Sequence, residues 1–217
     1  MKKLKLVTSK LKNHYEKKFS TYGQNAKGVD WGSEEKHSLR LREMIRYIIP
    51  NLKQGEKILD IGCGYGELVK VIKNEFNIDH INYVGVDPCG NMIKEAINKF
   101  PGHEFYGIPF EDFESEFAIE NIFSCGLFTK KLDSTNNEMF ELIDAFFEKA
   151  SELNVSTITF NTMSPLCDYQ DQELFYPDIN IILELIKKRW GFGIDEFMFG
   201  ASYLKYEMLV HLKLRNR

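Results

Sequence analysis

Hydrophobic and polar positions along most of this chain follow two alternating patterns. Ile58, Leu59 and Ile61 form a short apolar run bounded by turn residues, which predicts a strand buried on both faces. From Leu68 the apolar positions recur at helical spacing instead. The alternation repeats, with strands predicted over 83–86, 104–107, 121–128 and 155–162 and helices over 69–76, 91–100, 138–153 and 179–189. Such an order is typical of a doubly wound α/β fold.

The two ends of the chain depart from this alternation. Apolar residues at helical spacing predict an N-terminal amphipathic helix that breaks in a loop containing Gly23 and Gly28. Ser33 is then the expected N-cap of a helix over 34–49, which Pro50 ends. Segments 194–199 and 203–212 predict an antiparallel pair around 200–202. We find no repeat or linker and predict one domain, 1–217, with a helical lid over 1–50 and an α/β core over 51–217.

A glycine turn, Gly62-Cys63-Gly64-Tyr65-Gly66, joins the first core strand to its helix. Glycine allows a sharp bend and the close approach of a ligand, which would meet free backbone N–H groups at the helix start. A dinucleotide fingerprint needs its third glycine one place later, where Glu67 stands. Asp60 at the strand end can face a cationic group. Asp87 lies about 20 residues beyond the turn, the spacing at which an acid reaches ribose hydroxyls.

Residues 57–67 resemble motif I of the class I S-adenosylmethionine (SAM)-dependent methyltransferases, and residues 84–92 resemble their motif II. The resemblance implies a Rossmann-like α/β/α sandwich whose mostly parallel seven-stranded sheet ends in an antiparallel strand. It implies SAM as the cofactor, with S-adenosylhomocysteine as its product. Asp60 would then hold the methionine amino end and Asp87 the ribose. The other expected cofactor contacts are Gly62, Cys63, Gly64, Pro88, Met92, Phe110, Cys125 and, for the methionine carboxylate, Arg40.

The chain departs from the family at two places. Where the family often has an Asp for the adenine amino group, this sequence has Ile108-Pro109-Phe110 followed by Glu111 and Asp112, so backbone groups of 108–110 or the Glu111 carboxylate would replace that contact. Residues 121–128 resemble motif IV. DNA amino-methyltransferases carry Asp/Asn-Pro-Pro-aromatic there, and this chain has Ser124-Cys125-Gly126-Leu127, which argues against DNA methylation.

The acceptor side is less defined by sequence. Ligands of open α/β sheets bind outside the carboxyl ends of the strands. The expected substrate contacts are Tyr15, Tyr22, Trp31, Asn161 and Tyr169. His14, His37, Asp168 and Tyr169 are the candidate general bases, and no single catalytic residue is assigned.

A narrower resemblance, to small bacterial methyltransferases of small molecules, rests on residues 22–23, 29–31, 160–161 and 206–207. It favours a small-molecule acceptor, O-methylated rather than N-methylated, including an anionic or nucleotide-linked precursor of surface polysaccharide. An RNA or protein methyltransferase and a non-catalytic SAM-binding subunit are the alternatives.

Composition refines these expectations. The chain has 217 residues, 43% hydrophobic and 28% charged, with a net charge of −4, which argues against a dedicated nucleic-acid binder. Seven lysines and one acid, Glu16, stand within residues 1–20, either as a solvated face or as an attraction for an anionic substrate. The four cysteines form no C-x-x-C pair, so we expect reduced thiols and no metal site. We expect a cytoplasmic protein with no DNA or membrane partner, and a homodimer is left open.

Overall fold

The computed structural model describes residues 2–78, 81–201 and 203–215, which form a seven-stranded sheet flanked by helices. The strands are β1 (Lys57–Ile61), β2 (Asn82–Val86), β3 (Glu104–Tyr106), β4 (Asn121–Phe128), β5 (Thr157–Met163), β6 (Ile194–Gly200) and β7 (Glu207–Leu214). The α-helices are α1 (Lys2–Tyr22), α2 (Glu34–Ile45), α3 (Glu67–Phe76), α4 (Gly90–Lys99), α5 (Asn136–Glu152) and α6 (Ile179–Trp190). Short 3₁₀ turns span Ala26–Val29, Ile49–Asn51 and Phe110–Asp112.

The strand order is β3-β2-β1-β4-β5-β7-β6. Strands β1 to β5 pair in parallel, and β7 is antiparallel to both of its neighbours, β5 and β6. This confirms the predicted mostly parallel sheet with one reversed strand. The chain leaves β1 toward β2 on one side and returns to β4 on the other, and the crevice at such a reversal is the usual ligand site of an open α/β sheet.

Two apolar cores lie on the two faces of the sheet, because neighbouring residues of a strand point to opposite sides. Leu59 belongs to the core shared with α5 and α6, and Ile58 belongs to the core shared with α2 and α3. Continuous apolar strands such as β1 are buried on both faces for this reason. Among the described helices, none is long and apolar enough to cross a membrane.

Two predicted boundaries differ from the structure by four residues. Helix α2 ends at Ile45 rather than 49, because in a longer helix Pro50 would have no N–H to donate to the Arg46 carbonyl and its ring would clash with that carbonyl; Pro50 lies in a short 3₁₀ turn instead. Strand β7 begins at Glu207 rather than 203, after Tyr206 adopts a left-handed φ of 77°. Ser202 of the predicted turn lies outside the described residues.

Candidate functional site

The glycine turn after β1 is bent as the sequence predicts. Gly62 and Gly64 have φ values of 78° and 55°, in the left-handed region that favours glycine. The N–H groups of Gly62 and Cys63 donate to the Val86 carbonyl at 2.8 and 3.3 Å, which fixes the turn to the end of β2. The turn therefore presents bare backbone at the carboxyl edge of the sheet.

Asp87 is 8% exposed and fastens this turn to the loop after β2. Its carboxylate accepts hydrogen bonds from the Gly64 N–H at 3.0 Å and from the Cys89 N–H at 2.8 Å. Burial raises the pKa of Asp87, and the two backbone hydrogen bonds oppose the rise. Each carboxylate oxygen has a second lone pair, so Asp87 can still accept from a ligand.

Asp60 is 3% exposed and is the second-last residue of β1, near the same edge of the sheet. Its carboxyl accepts a hydrogen bond from the Tyr83 hydroxyl at 2.7 Å. Burial, opposed by that hydrogen bond and reinforced by the charge of Asp87, raises the pKa of Asp60 to about 7. A buried acid with no cation beside it favours a cationic ligand group.

A cavity opens at these strand ends, with about 970 Å³ of empty space including its mouth. The loops after β1, β2 and β3 and the end of β4 form its floor. Thr8, Leu11, Lys12 and Tyr15 of α1, with Val29 and Trp31 of the following loop, cover it from the other side.

Side-chain contacts hold α1 over the cavity. The Thr8 hydroxyl donates to Glu111 Oε1 at 3.1 Å, and the ring of Phe19 stacks on Tyr65 of the glycine turn. Three side chains contact the Asp30 carboxylate: His14 at 2.9 Å, Lys18 at 2.7 Å and Lys130 at 3.1 Å. Burial alone would raise the pKa of Asp30, but hydrogen bonds from these three side chains lower it to about 2.

A family model described as a methyltransferase domain matches residues 34–162, which include the whole floor of this cavity. The chain belongs to that methyltransferase family. Motifs I and II predict SAM as its cofactor, and two solved structures that resemble it, the plantazolicin methyltransferases BpumL and BamL, were determined with S-adenosylhomocysteine.

The curated relatives and solved structures that this chain resembles are also described as methyltransferases. The ubiquinone/menaquinone biosynthesis C-methyltransferase UbiE of Campylobacter jejuni is 41% identical over 59 residues, a match that covers 25% of this chain and 24% of the relative. The chain thus spans about a quarter of the curated relatives it matches. The plantazolicin methyltransferase BamL, solved with a substrate analogue and S-adenosylhomocysteine, has a TM-score of 0.63 at 14% identity, with 99% of this chain and 100% of that chain covered. A SAM-dependent methyltransferase of Leishmania major has a TM-score of 0.62 at 17% identity, with 94% and 83% covered. These two structures show the fold.

Most of the sequence-predicted cofactor residues of the methyltransferase line the cavity. They are Asp60, Gly62, Cys63, Gly64, Asp87, Pro88, Met92, Phe110 and Cys125. Burial raises the pKa of the thiols of Cys63, Cys125 and Cys89, a further lining residue, and these thiols therefore stay protonated. Tyr15 and Trp31, predicted as substrate contacts, also line the cavity.

Arg40, expected at the methionine carboxylate, does not line the cavity. Its guanidinium is 5% exposed and forms a two-point ion pair with Glu207 on β7, with Nε at 2.6 Å from Oε2. The guanidinium also lies 3.6 Å from the centre of the Trp31 ring. Arg40 therefore packs against the ring of Trp31 and does not face the cavity.

Three predicted substrate residues also lie outside the cavity lining. Asn161 is buried beneath it, where its Oδ1 accepts the Gly126 N–H at 2.7 Å and its Nδ2 donates to Glu207 at 3.2 Å. Tyr22 and Tyr169 are exposed at the surface, by 47% and 71%. Asp168, a candidate base, is exposed and paired with Lys205 at 3.3 Å.

Two cavity residues carry polar atoms that have no hydrogen-bond partner in the described part of the chain: Nδ1 of His37 and Oε2 of Glu111, both buried. The sequence named both residues as candidates without choosing them. Whether an atom of these side chains lacks a hydrogen-bond partner depends on how the side chains are placed in the fold, which a local sequence pattern does not show.

Proposed function

We propose that this protein transfers the methyl group of SAM to a small-molecule acceptor, with oxygen favoured over nitrogen as the methylated atom. The observation that carries the proposal is the roof over the strand-end cavity, formed by α1 and Trp31. An acceptor must fit beneath that roof together with the cofactor, which favours a small molecule over a folded RNA or protein. The names of relatives such as UbiE and BamL agree with this class of acceptor.

The floor residues support one orientation of the cofactor. Glu111, after β3, has an unpartnered carboxylate oxygen that suits the adenine amino group. Asp87, after β2, suits the ribose, and Asp60, at the end of β1, suits the methionine ammonium. In the sheet order β3-β2-β1, these three acids follow the cofactor from its base to its amino-acid end. Met92, Pro88 and Phe110 provide apolar contact at the nucleoside end.

SAM supplies an activated methyl group, so the protein needs chiefly to orient the acceptor for in-line attack and exclude water. The titratable groups around the acceptor space are poor general bases. Burial lowers the pKa of His37 to about 3, so its imidazole is a weak base at neutral pH. Burial raises the pKa of Tyr15, so its phenol stays protonated and cannot accept a proton. We therefore favour an acceptor oxygen that is already ionised near pH 7, such as a carboxylate or an acidic phenol or enol. Lys12 in the cavity lining suits such an anion, including a phosphorylated or nucleotide-linked one.

The direct test incubates methyl-labelled SAM and the purified protein with an extract of the source cells, and then separates the label by size. Label in the small-molecule fraction, absent with the Asp87→Ala variant, supports the proposal, and mass spectrometry then identifies the acceptor. Label on RNA or protein contradicts it. Absence of transfer by protein that binds SAM would favour a non-catalytic SAM-binding subunit.

We further propose that residues 1–217 act as one methyltransferase domain in the cytoplasm, with residues 1–50 as its lid. The packing of α1 against α4 and α5 supports this assignment, because the lid shares its contacts with the core helices. A protease-resistant core that loses residues 1–50 without losing its cooperative unfolding would contradict the one-domain proposal.

A further inference from the structure

His37 is a buried polar side chain that lines the cavity, and its Nδ1 has no hydrogen-bond partner among the described residues. It lies in the first turns of α2, which Ser33 caps through a hydrogen bond to the Lys36 N–H at 3.2 Å. The side chain is 6% exposed, and Nδ1 is buried without a partner. Because buried polar groups are almost always satisfied, an unpartnered imidazole in a ligand cavity indicates a missing ligand contact.

The position of His37 identifies the end of the cavity that it serves. Its ring lies against Trp31, with centroids 5.9 Å apart, and Trp31 in turn covers Gly126 on β4. In the order β3-β2-β1-β4, this is the end opposite Glu111 and beside Asp60. With the nucleoside placed over β2 and β3, the amino-acid end of the cofactor lies next to His37.

That amino-acid end is a zwitterion, and the cavity provides an acid for only one of its charges. Asp60 suits the ammonium. The carboxylate has no unpaired cationic side chain at this end among the described residues. Arg40 is held by Glu207, and Lys70 is held by Glu67. The Lys12 ammonium lies 3.8 Å from Glu16 on its own helix. Glu67, which also lines this end, is already paired with Lys70 and with Lys99 at 3.4 Å.

We propose that His37 binds the methionine carboxylate of SAM as a neutral N–H donor, the role that the sequence had suggested for Arg40. The inference rests on the cofactor orientation proposed above and adds the residue that binds the cofactor's carboxylate. Backbone N–H groups at the start of α3 would complete the contact.

The charges around His37 favour donation over proton uptake. Burial, with the positive charges of Arg40 and Lys70, lowers the pKa of His37. The ring is thus a weak base and a suitable donor, which separates this role from general-base catalysis.

The test compares SAM with decarboxylated SAM, which keeps the ammonium, sulfonium and nucleoside and lacks only the carboxylate. Dissociation constants for both are measured by calorimetry with the wild type and with His37→Phe, a variant that keeps a ring against Trp31. A hydrogen bond to a charged group corresponds to roughly a 10- to 100-fold change in affinity. We expect SAM binding to weaken by about that factor and decarboxylated SAM binding to stay within twofold. His37→Gln, which restores an N–H donor, should recover part of the loss.

Lys36→Gln is the matched control, because it removes an exposed charge from the same turn of α2 and should leave both constants unchanged. Equal weakening of both ligands in His37→Phe would show a structural role and overturn the proposal. Unchanged SAM affinity in His37→Phe would show that the ring does not bind the carboxylate and would also overturn the proposal. Because these are binding measurements, failure to find a small-molecule acceptor would contradict the proposed function and leave this result standing.

Discussion

The floor and the roof of the cavity are held in different ways. The floor consists of the loops after β1, β2 and β3 and the end of β4. Backbone N–H groups of its glycine turn fix it to the end of β2 and the residue after it: Gly62 donates to the Val86 carbonyl, and Gly64 donates to the Asp87 carboxylate. The roof, formed by α1 and Trp31, and helix α2 beside it are held mainly by contacts between side chains that are far apart in the sequence. Arg40 and Glu207, for example, are 167 positions apart.

This difference has a consequence for ligand exchange. The roof contacts of α1 are partly exposed; in the pair of Lys10 with Asp133 the two side chains are 25% and 77% exposed. Exposed ion pairs contribute at most about 1 kcal/mol each and weaken with salt. We therefore expect α1 to move when ligands enter, over a floor that stays in place.

The largest effect on the roof should come from Arg40→Met. Removing one partner of a buried ion pair leaves Glu207 charged and uncompensated, which typically costs about 3–5 kcal/mol of unfolding free energy. Urea denaturation followed by circular dichroism measures the loss. Glu207→Gln in the same chain should recover much of it and keep an oxygen for Asn161. Wild-type stability of Arg40→Met would show that the pair does not hold α2 to β7.

On the floor, the largest effect should come from Asp87→Ala. If Asp87 binds the ribose, loss of one or two hydrogen bonds to a carboxylate should weaken S-adenosylhomocysteine binding by roughly 10- to 100-fold or more. Calorimetry gives the affinity, and the circular dichroism spectrum should remain that of the folded protein. Asp87→Asn keeps one acceptor oxygen, so its affinity for S-adenosylhomocysteine should lie between those of the wild type and Asp87→Ala. An unchanged affinity in Asp87→Ala would remove Asp87 from the ribose site.

The floor could be predicted from sequence because its determinants are local. A glycine turn after an apolar strand, with acids at fixed distances along the chain, specifies both the bend and which side chains reach the edge of the sheet. The predicted strands and helices also agree with the structure except at boundaries such as the end of α2, where the effect of Pro50 extends one turn further back.

The roof could not be predicted in the same way. Nothing near Arg40 in sequence shows that Glu207 will occupy its guanidinium, and the same holds for Asn161, which turns toward Gly126 and Glu207 instead of the cavity. Tyr22 follows Tyr15 by almost two helical turns and so lies on the same side of α1, but it is the last residue of the helix and is 47% exposed. Partners of this kind depend on tertiary placement.

Asp60 offers a smaller, pH-dependent test of the floor. Its pKa in the free protein is raised to about 7, and a cationic ligand would stabilise the ionised form and lower that pKa. Binding then releases a proton, so SAM affinity should fall by up to tenfold per pH unit as pH drops below about 7, and should level off above it. Asp60→Asn should flatten this profile. Tyr83→Phe removes a hydrogen bond that lowers the pKa of Asp60, so it should move the break to higher pH. A flat wild-type profile between pH 5.5 and 8 would contradict the role of Asp60.

The smallest expected effect separates the two interpretations of the lysine-rich α1. Lys12 lines the cavity, whereas Lys10 is paired with Asp133 and Lys17 is exposed. One partly screened charge is worth roughly 0.5–1 kcal/mol, so Lys12→Gln should raise KM for an anionic acceptor about two- to fivefold at low salt, and less at high salt. Lys17→Gln, with the same charge change on the same helix, should leave KM unchanged. Equal effects of the two variants would show that α1 attracts the acceptor through its overall charge and not through a contact in the cavity.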